Sequence, residues 1–208
     1  MVGLNHFDII YYINLNHRTD RLENIKRQLK KTNIESNKIN RISGIYMKDF
    51  GILGCAKSHI LALEEFIKTD NNNCLILEDD FCFTESQDII NNLIDQIFYN
   101  KINYDVLMLS CNILNSEKTE HPFLIKILDG QTLSGYSISK KFAPILLNNY
   151  KESVALLERA KIKIHPFCFD IYMKKLQPIS KWYCLEPRIG KQIESYSDIE
   201  NKIVEYDC

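Results

Sequence analysis

The stretch CLILEDDFCF, residues 74–83, places three consecutive carboxylates between two apolar runs. The first run, residues 74–77, is short and follows the turn-forming sequence NNN, which predicts a buried β-strand. Acidic side chains are rarely buried without a partner, so Glu78, Asp79 and Asp80 need a reason to follow such a strand. In an extended chain, Glu78 and Asp80 point to one side and Asp79 points to the other.

The remainder of the chain alternates between strand and helix patterns. Apolar and β-branched runs predict strands at 7–15, 39–43, 74–77, 104–110 and 134–138. Helical spacing of apolar residues predicts helices at 19–31, 54–69, 86–98, 139–150 and 151–161. Thr19 or Asp20 is the expected N-cap of the first helix, and residues 111–134 are expected to be irregular or to form short strands. This order predicts an α/β fold with a mostly parallel sheet, whose ligand site lies beyond the C-terminal ends of the strands.

Length, charge and cysteine content are typical of a single-domain protein with reduced thiols. The 208 residues fit a single domain over 1–208, and a net charge of −1 gives no electrostatic case for binding nucleic acid. The seven cysteines are scattered, and none forms a C-x-x-C pair, which favours reduced thiols in a reducing compartment. No apolar run is long enough to form a transmembrane segment. We expect a cytoplasmic protein, either soluble or peripheral to a membrane.

The spacing of Glu78 and Asp80 suggests a cation site. Two carboxylates that converge at a strand end repel each other, and a divalent cation with oxygen ligands, Mg²⁺ or Mn²⁺, relieves that repulsion. Such ions bind substrate phosphates through one or two protein carboxylates, so the pattern E-x-D fits a metal–nucleotide site. Two alternatives stay open at this point: a glycosidase carboxylate pair, and a solvated strand end with an N-capping aspartate.

Six segments, in order, resemble glycosyltransferase family 25, the group of bacterial lipooligosaccharide and collagen galactosyltransferases. They are YINLNHRTDR (12–21), GCAKSH (54–59), LILEDD (75–80), SGYSISKKFA (134–143), HPFCFDIYM (165–173) and EPRIGKQIESYSDIE (186–200). His17 and Lys57 stand where arginine and leucine are more usual in the family. Residues 111–133 match poorly, and we expect the choice of acceptor to be made there.

This resemblance implies a GT-A type, Rossmann-like nucleotide-sugar-binding fold and an inverting, metal-dependent transferase. The implied reaction moves a hexose from UDP-galactose or UDP-glucose to a hydroxyl group of a glycan or a collagen-like protein, as in lipopolysaccharide biosynthesis or collagen glycosylation. Glu78 and Asp80 are the implied Mn²⁺ (or Mg²⁺) site, and the metal neutralises the UDP leaving group. Glu78 is also expected to contact the ribose or a metal-bound water, and Asp79 to lie in the donor site.

Further donor-binding residues are implied near both ends of the chain. Asn14 and Leu15 end the first strand, where uridine docks in such folds. Arg18 and Arg21 are candidates for binding phosphate, with a surface ion pair to Asp20 or Glu23 as the alternative.

Ser58 and His59 are expected near the start of a helix, whose free N–H groups favour anions. The alternative for His59 is a histidine satisfied within the core. Gln192, Ser197 and Asp198 are expected to complete the donor pocket.

Asp170 is the candidate general base, because inversion needs a proton acceptor on the face opposite UDP and this acid lies among apolar neighbours. Cys55 is expected to be a buried helix residue with no chemical role, Tyr136 a packing residue and His165 a structural one. Two other functions remain as alternatives. One is a catalytically silent family member that serves as an interaction or adhesion domain, against which the intact sequence EDD argues. The other is a metal-dependent hydrolase that uses the same carboxylates.

Overall fold

The computed structural model describes residues 1–193, 195–197 and 202–204. The strands are β1 (Ile9–Asn14), β2 (Ile39–Ser43), β3 (Asn73–Glu78), β4 (Phe81–Phe83), β5 (Val106–Lys118), β6 (Leu124–Ser139), β7 (Trp182–Leu185), β8 (Gly190–Gln192), β9 (Ser195–Ser197) and β10 (Lys202–Val204). The helices are α1 (Thr19–Lys31), α2 (Gly51–Lys68), α3 (Gln87–Tyr99), α4 (Ala143–Ala160) and α5 (Phe169–Tyr172), with short 3-10 turns at Gly3–His6, Ser36–Lys38, His165–Phe167 and Met173–Leu176.

Six strands form a central sheet in the order β2-β1-β3-β6-β5-β7. Strand β1 is parallel to both β2 and β3, and β5 is parallel to β7, whereas β6 runs antiparallel to its neighbours. The predicted α/β fold with a mostly parallel sheet is therefore confirmed. Because β1 and β3 run the same way, their C-terminal ends meet at one edge of the sheet, where Ile13 lies opposite Glu78.

Apolar side chains cover both faces of this sheet, which explains why its strands read as nearly continuous apolar runs. Alternate residues of β1 divide between the two faces. Tyr11 and Ile13 belong to the core with α2 and α4, and Ile10 and Tyr12 to the core with α1 and α3. No helix in the described part of the chain combines the length and apolarity that a bilayer crossing requires.

The predicted helices are present, with corrections to α1, α2 and α4. Helix α2 begins at Gly51 instead of residue 54. Helix α1 spans the predicted residues, but Arg18 occupies its N-cap and no side chain caps it, so the expected capping by Thr19 or Asp20 is wrong. The two helices predicted at 139–150 and 151–161 form one helix, α4. Pro144 lies in its first turn, where the missing N–H costs no hydrogen bond.

The expectation of irregular structure or short strands at 111–134 is wrong, because these residues complete a long β5–β6 hairpin. The hairpin contains several register shifts, which interrupt the alternation that predicts strands. We call residues 112–123 the hairpin arm. In β5 the side chains are buried up to Cys111 and become exposed from Leu114 to Lys118.

Strand β4 fixes the loop that follows β3. It pairs with β8, so that Phe81 lies opposite Gln192. The Phe81 ring is buried where Gly135 and Gly190 have no side chain, and a Cβ at either glycine would lie no more than 2.5 Å from ring carbons. The close approach therefore requires glycine at both positions, and it anchors Asp80 and Asp79, which lie one and two residues before the ring.

Candidate active site

The three carboxylates form a tight turn, which we call the acidic turn (Glu78, Asp79 and Asp80), between β3 and β4. Glu78 is the last residue of β3, at the edge of the sheet where β1 also ends. The aspartates are each only 6% exposed. The contacts of each carboxylate therefore decide its chemistry, because buried charges require partners.

Asp79 is bonded to the last residue of β1 and to a residue of α1. The Asn14 side-chain amide donates to Asp79 Oδ2 over 2.7 Å, and Arg21 Nη1 lies 3.2 Å from Asp79 Oδ1. Asn14 is itself held, because Arg41 Nη2 donates to its Oδ1 over 2.8 Å and its own amide also donates to the Arg18 carbonyl oxygen. Burial raises the pKa of Asp79, and the Arg21 charge opposes that rise. Asp79 thus ties the acidic turn to β1 and α1.

Glu78 and Asp80 face a different partner. Gln192 Nε2 lies 3.4 Å from Glu78 Oε2 and 3.4 Å from both carboxylate oxygens of Asp80. The Ile193 N–H donates to the Asp80 carbonyl oxygen over 2.9 Å, which holds the end of β8 against the turn. Arg21 Nη1 lies 3.0 Å from Asp80 Oδ2, so one guanidinium serves both aspartates. The amide contacts are long for N–H···O bonds, which indicates a weakly held carboxylate pair.

Burial and repulsion from Glu78 raise the pKa of Asp80 to about 7, although Arg21 acts in the opposite direction. Burial also acts to raise the pKa of Glu78, but the hydrogen bond and charge of His59, together with Arg21, outweigh it and leave that pKa lowered. The site therefore holds one ionised carboxylate beside one that retains a proton near neutral pH. This pattern is typical of functional sites.

His59 connects the acidic turn to the core. It is fully buried, its Nε2 lies 3.0 Å from Glu78 Oε1, and its Nδ1 lies 3.1 Å from the Tyr136 hydroxyl. The expected position of Ser58 and His59 near a helix start is wrong, because α2 begins at Gly51 and both residues lie beyond its first turn. The Ser58 hydroxyl donates to the Gly54 carbonyl and accepts from the Ile45 N–H. Ser58 therefore fastens the loop before α2.

Arg18 forms the ion pair that the sequence left as an alternative. Its Nη2 lies 2.8 Å from Asp20 Oδ2, and its Nε donates to Asp20 Oδ1 over 3.0 Å. The hydrogen bond from Arg18 lowers the pKa of Asp20 to about 2. Leu15 follows β1 and is half-buried beside this loop.

Asp170 lies in the short helix α5, close to the acidic turn. The ring of the preceding residue, Phe169, packs on the His59 ring with centroids 5.0 Å apart. Burial raises the pKa of Asp170, and the charge of Glu78 raises it further. The fold thus brings a half-buried acid from the C-terminal third into the electrostatic field of Glu78.

The C-terminal residues of the expected donor pocket are described only in part. Gln192 contacts the acidic turn, and Ser197 ends strand β9. Asp198 lies outside the described residues.

Comparison with known proteins identifies the family of this chain. The model of glycosyltransferase family 25 (LPS biosynthesis protein) matches residues 49–162, which is more than half of the chain. The chain belongs to glycosyltransferase family 25. It is therefore a glycosyltransferase, and the family suggests a nucleotide-sugar donor and a glycan acceptor. The matched span contains Cys55, His59 and the acidic turn, whereas Asn14, Asp170 and Gln192 lie outside it.

Solved structures agree with the fold. A197 from STIV is similar with a TM-score of 0.53 at 16% identity, over 94% of this chain and 92% of that one. The glycosyltransferase GlyE of Streptococcus pneumoniae TIGR4 is similar with a TM-score of 0.50 at 10% identity, over 86% of this chain and 45% of that one. No curated protein sequence matches the chain significantly. At these identities the structural likeness shows the fold alone.

The donor atoms around the acidic turn of this family 25 chain fit a divalent cation. Glu78 Oε2 and the Asp80 carboxylate share the single Gln192 amide, and the pKa of Asp80 records the burial and the repulsion that a cation would relieve. Carboxylate oxygens are the ligands that Mg²⁺ and Mn²⁺ prefer.

Sequence reasoning missed two residues at this site. Arg41, on β2, orients Asn14, and its signal in the sequence is a cation within the strand predicted at 39–43. Cys55 was expected to be a buried helix residue without a role, but it is half-buried and its Sγ lies 3.7 Å from Glu78 Oε1. Its position four residues before His59 is the signal, because residues at that spacing share one helix face.

Proposed function

We propose that this glycosyltransferase moves a hexose, galactose or glucose, from a UDP-sugar to a hydroxyl group with inversion at the anomeric carbon. One observation carries the proposal: Glu78 and Asp80 share the amide of Gln192 at the C-terminal edge of the sheet. Ligands of open α/β sheets bind beyond that edge. The resemblance of the motifs to those of family 25 supports UDP as the nucleotide.

Asp80 and Glu78 are the proposed ligands of Mn²⁺ or Mg²⁺. When bound, the ion supplies positive charge that neutralises the diphosphate as the sugar bond breaks. Gln192 orients the two carboxylates, and Arg21 holds Asp80 through the 3.0 Å contact. Because Arg21 is already paired with both aspartates, we assign it to positioning these carboxylates as well as to attracting phosphate.

The uridine and the sugar are proposed to lie against the ends of β1 and α2. Asn14 and Leu15 face the uridine, and Arg18 reaches the phosphates by exchanging its partner Asp20 for them. Ser58 and Asp79 contribute to the donor site by holding its loops in place, since their polar side-chain atoms are already bonded to other residues of the protein. His59 acts on the donor through Glu78, to which its Nε2 is bonded. Ser197 and Asp198 remain proposals for the far side of this pocket.

Asp170 is the proposed general base. It would accept the proton of the acceptor hydroxyl as that oxygen attacks the anomeric carbon. Its raised pKa supports this role, because a carboxylate with a higher pKa binds the transferred proton more strongly. The packing of Phe169 on His59 supports the closeness of Asp170 to the donor site.

The acceptor is proposed to be a glycan, as in lipopolysaccharide biosynthesis, or a collagen-like protein. The hairpin arm is the proposed place of acceptor selection. The scattered cysteines support a reducing compartment, and we propose a cytoplasmic protein, soluble or peripheral to a membrane, with one catalytic domain over 1–208.

The decisive experiment is a donor screen read by UDP release. The full chain is incubated with UDP-galactose, UDP-glucose and other UDP-sugars, with Mn²⁺ or with EDTA, and with glycan or collagen-like acceptors. We expect acceptor-stimulated UDP release from one UDP-hexose, its loss in EDTA, and its loss in Asp80→Asn. Asp70→Asn is the matched control, because it makes the same change at an exposed position before the other end of β3.

Each alternative function predicts a different result in that screen. A catalytically silent interaction domain would release no UDP from any donor and would bind UDP no better with Mn²⁺. A hydrolase would release UDP equally with and without acceptor. Full activity in EDTA would contradict the metal assignment but not the transfer reaction.

A further inference from the structure

A thiol, an imidazole and a carboxylate meet at Glu78 Oε1, whereas Gln192 contacts the other oxygen, Oε2. Cys55 Sγ lies 3.7 Å from Glu78 Oε1, His59 Nε2 lies 3.0 Å from the same oxygen, and these three atoms all lie within 4.8 Å of one another. Cys55 and His59 are four residues apart on α2, so the helix itself places them side by side. Bond lengths of about 2.0–2.3 Å to zinc correspond to ligand atoms roughly 3–4 Å apart.

We propose that Cys55, His59 and Glu78 bind Zn²⁺, at a second site that shares Glu78 with the oxygen-ligand site proposed at Asp80. A thiolate, an imidazole and a carboxylate form a ligand set that suits zinc, whereas Mg²⁺ and Mn²⁺ prefer oxygen ligands. The two carboxylate oxygens of Glu78 divide between the sites. Oε1 faces Cys55 and His59, and Oε2 faces Gln192.

The surroundings of His59 match those of a zinc-bound histidine, whose second ring nitrogen usually donates to a fixed partner. Nδ1 lies 3.1 Å from the Tyr136 hydroxyl, in a fully buried position. The Tyr136 hydroxyl is hydrogen-bonded to Tyr150, and the Tyr150 hydroxyl lies 3.8 Å from Met173 Sδ. A proton on Nδ1 is thus accommodated, because each hydroxyl in this chain can donate to the next group.

Charge and protons balance at the proposed site. Zn²⁺ replaces the protons that otherwise join these groups: the thiol proton leaves to the buffer, and the imidazole carries its proton on Nδ1. The thiolate and the carboxylate then carry two negative charges against the two positive charges of the ion. Cys55 is half-buried and the Glu78 side chain is 21% exposed, which leaves the ion a route from solvent.

Cobalt substitution tests the proposal without reference to glycosyl transfer. The reduced full chain is titrated with Co²⁺, and thiolate-to-cobalt charge-transfer absorbance is recorded in the near ultraviolet. We expect this band to saturate at one equivalent and to vanish when Zn²⁺ is added. Cys55→Ser should abolish the band and weaken Zn²⁺ binding by ~100-fold or more, beyond the loss usual for outer-sphere partners. Cys82→Ser, which changes the other half-buried cysteine described, should keep both.

Two outcomes overturn the proposal: the absence of a thiolate band, or an unchanged band in Cys55→Ser. If Cys55→Ser fails to fold by circular dichroism, alkylation of the wild-type chain decides instead. Bound Zn²⁺ should then slow iodoacetamide labelling of Cys55, mapped by peptide mass spectrometry, by ~10-fold or more, while Mg²⁺ should not. Equal labelling with and without Zn²⁺ would reject the site. The donor screen reports separately on the proposed transfer reaction.

Discussion

The two sides of the acidic turn use the same chemical group in opposite ways. On one side, Asp79 accepts a 2.7 Å bond from Asn14 and pairs with Arg21, and Arg41 holds Asn14 in turn. On the other side, Asp80 and Glu78 share one amide at 3.4 Å, and the pKa of Asp80 rises to about 7. Asp79 stabilises the fold, whereas Glu78 and Asp80 are held close together at a cost in the free energy of folding.

This difference explains how the fold tolerates the repulsion between Glu78 and Asp80. The partners of Asp79 come from β1 and α1, and Arg41 of β2 holds its partner Asn14, so three elements oppose any movement of the turn. Gln192 and Asp80 are joined further by the bond from the Ile193 N–H. The contacts of Asp79 (the well-paired side) therefore support Glu78 and Asp80 (the strained side). Substitutions on each side test the two contributions separately.

Asp79→Ala should give the largest loss of stability. It removes one partner of a buried ion pair and leaves Asn14 and Arg21 with fewer acceptors, which costs about 3 kcal/mol or more in the free energy of unfolding. Urea denaturation, followed by circular dichroism, measures the loss. Asp79→Asn retains an acceptor for Asn14 and should cost less. If the Ala variant were as stable as the wild type, the acidic turn would not depend on this side.

Asp170→Asn tests the chemistry on the strained side. Because the amide keeps the shape but cannot accept the proton, we expect turnover to fall by ~100-fold or more, equivalent to about 2.7 kcal/mol, with donor affinity nearly unchanged. Steady-state kinetics and UDP-sugar binding by calorimetry separate these effects. Asp88→Asn, at an exposed position in α3, is the matched control. A loss of donor binding would instead identify Asp170 as a ligand of the sugar.

The comparison also indicates what sequence could and could not predict. The apolar runs and helical spacing predicted the α/β fold and most helices, because both faces of the sheet are buried and each strand carries a strong local pattern. The position of the acidic turn at the end of β3 followed from the same pattern. The β5–β6 hairpin was missed because its register shifts break the alternation on which strand prediction depends.

Partners within the site were harder to predict, since they depend on contacts between distant segments. Gln192 lies 112 residues from Asp80 along the chain, and Arg41 lies 27 residues from Asn14. The start of α2 was placed at Gly54 instead of Gly51, and this small error put Ser58 and His59 at a helix terminus. Local patterns fix elements, whereas the pairing of polar side chains depends on how those elements pack.

Asp80→Asn should stabilise the protein at pH 8 when no metal is added. The folded protein holds a proton on Asp80 up to about pH 7, whereas the ordinary pKa of an aspartate, as in the unfolded chain, is 3.8. Between these values the folded state binds more protons, so this group's contribution to stability falls as pH rises. We expect a gain in the free energy of unfolding, because the neutral amide avoids burying a charge beside Glu78, although the weaker Arg21 contact offsets part of that gain. Thermal melts from pH 4 to 8 should show a smaller decline in the variant.

Leu114→Ser should have the smallest effect, because it lies in the hairpin arm, away from both sides of the acidic turn. The side chain is 56% exposed, and surface substitutions of this kind usually change stability by less than about 0.5 kcal/mol. If the arm selects the acceptor, the variant should keep its donor affinity and its acceptor-free UDP release while its KM for the acceptor changes. Glu117→Gln, at another exposed position of β5, shows whether any such change is specific to the apolar contact. A fall in UDP-sugar affinity would place the hairpin arm in the donor site, so the arm and the acidic turn would no longer have separate roles.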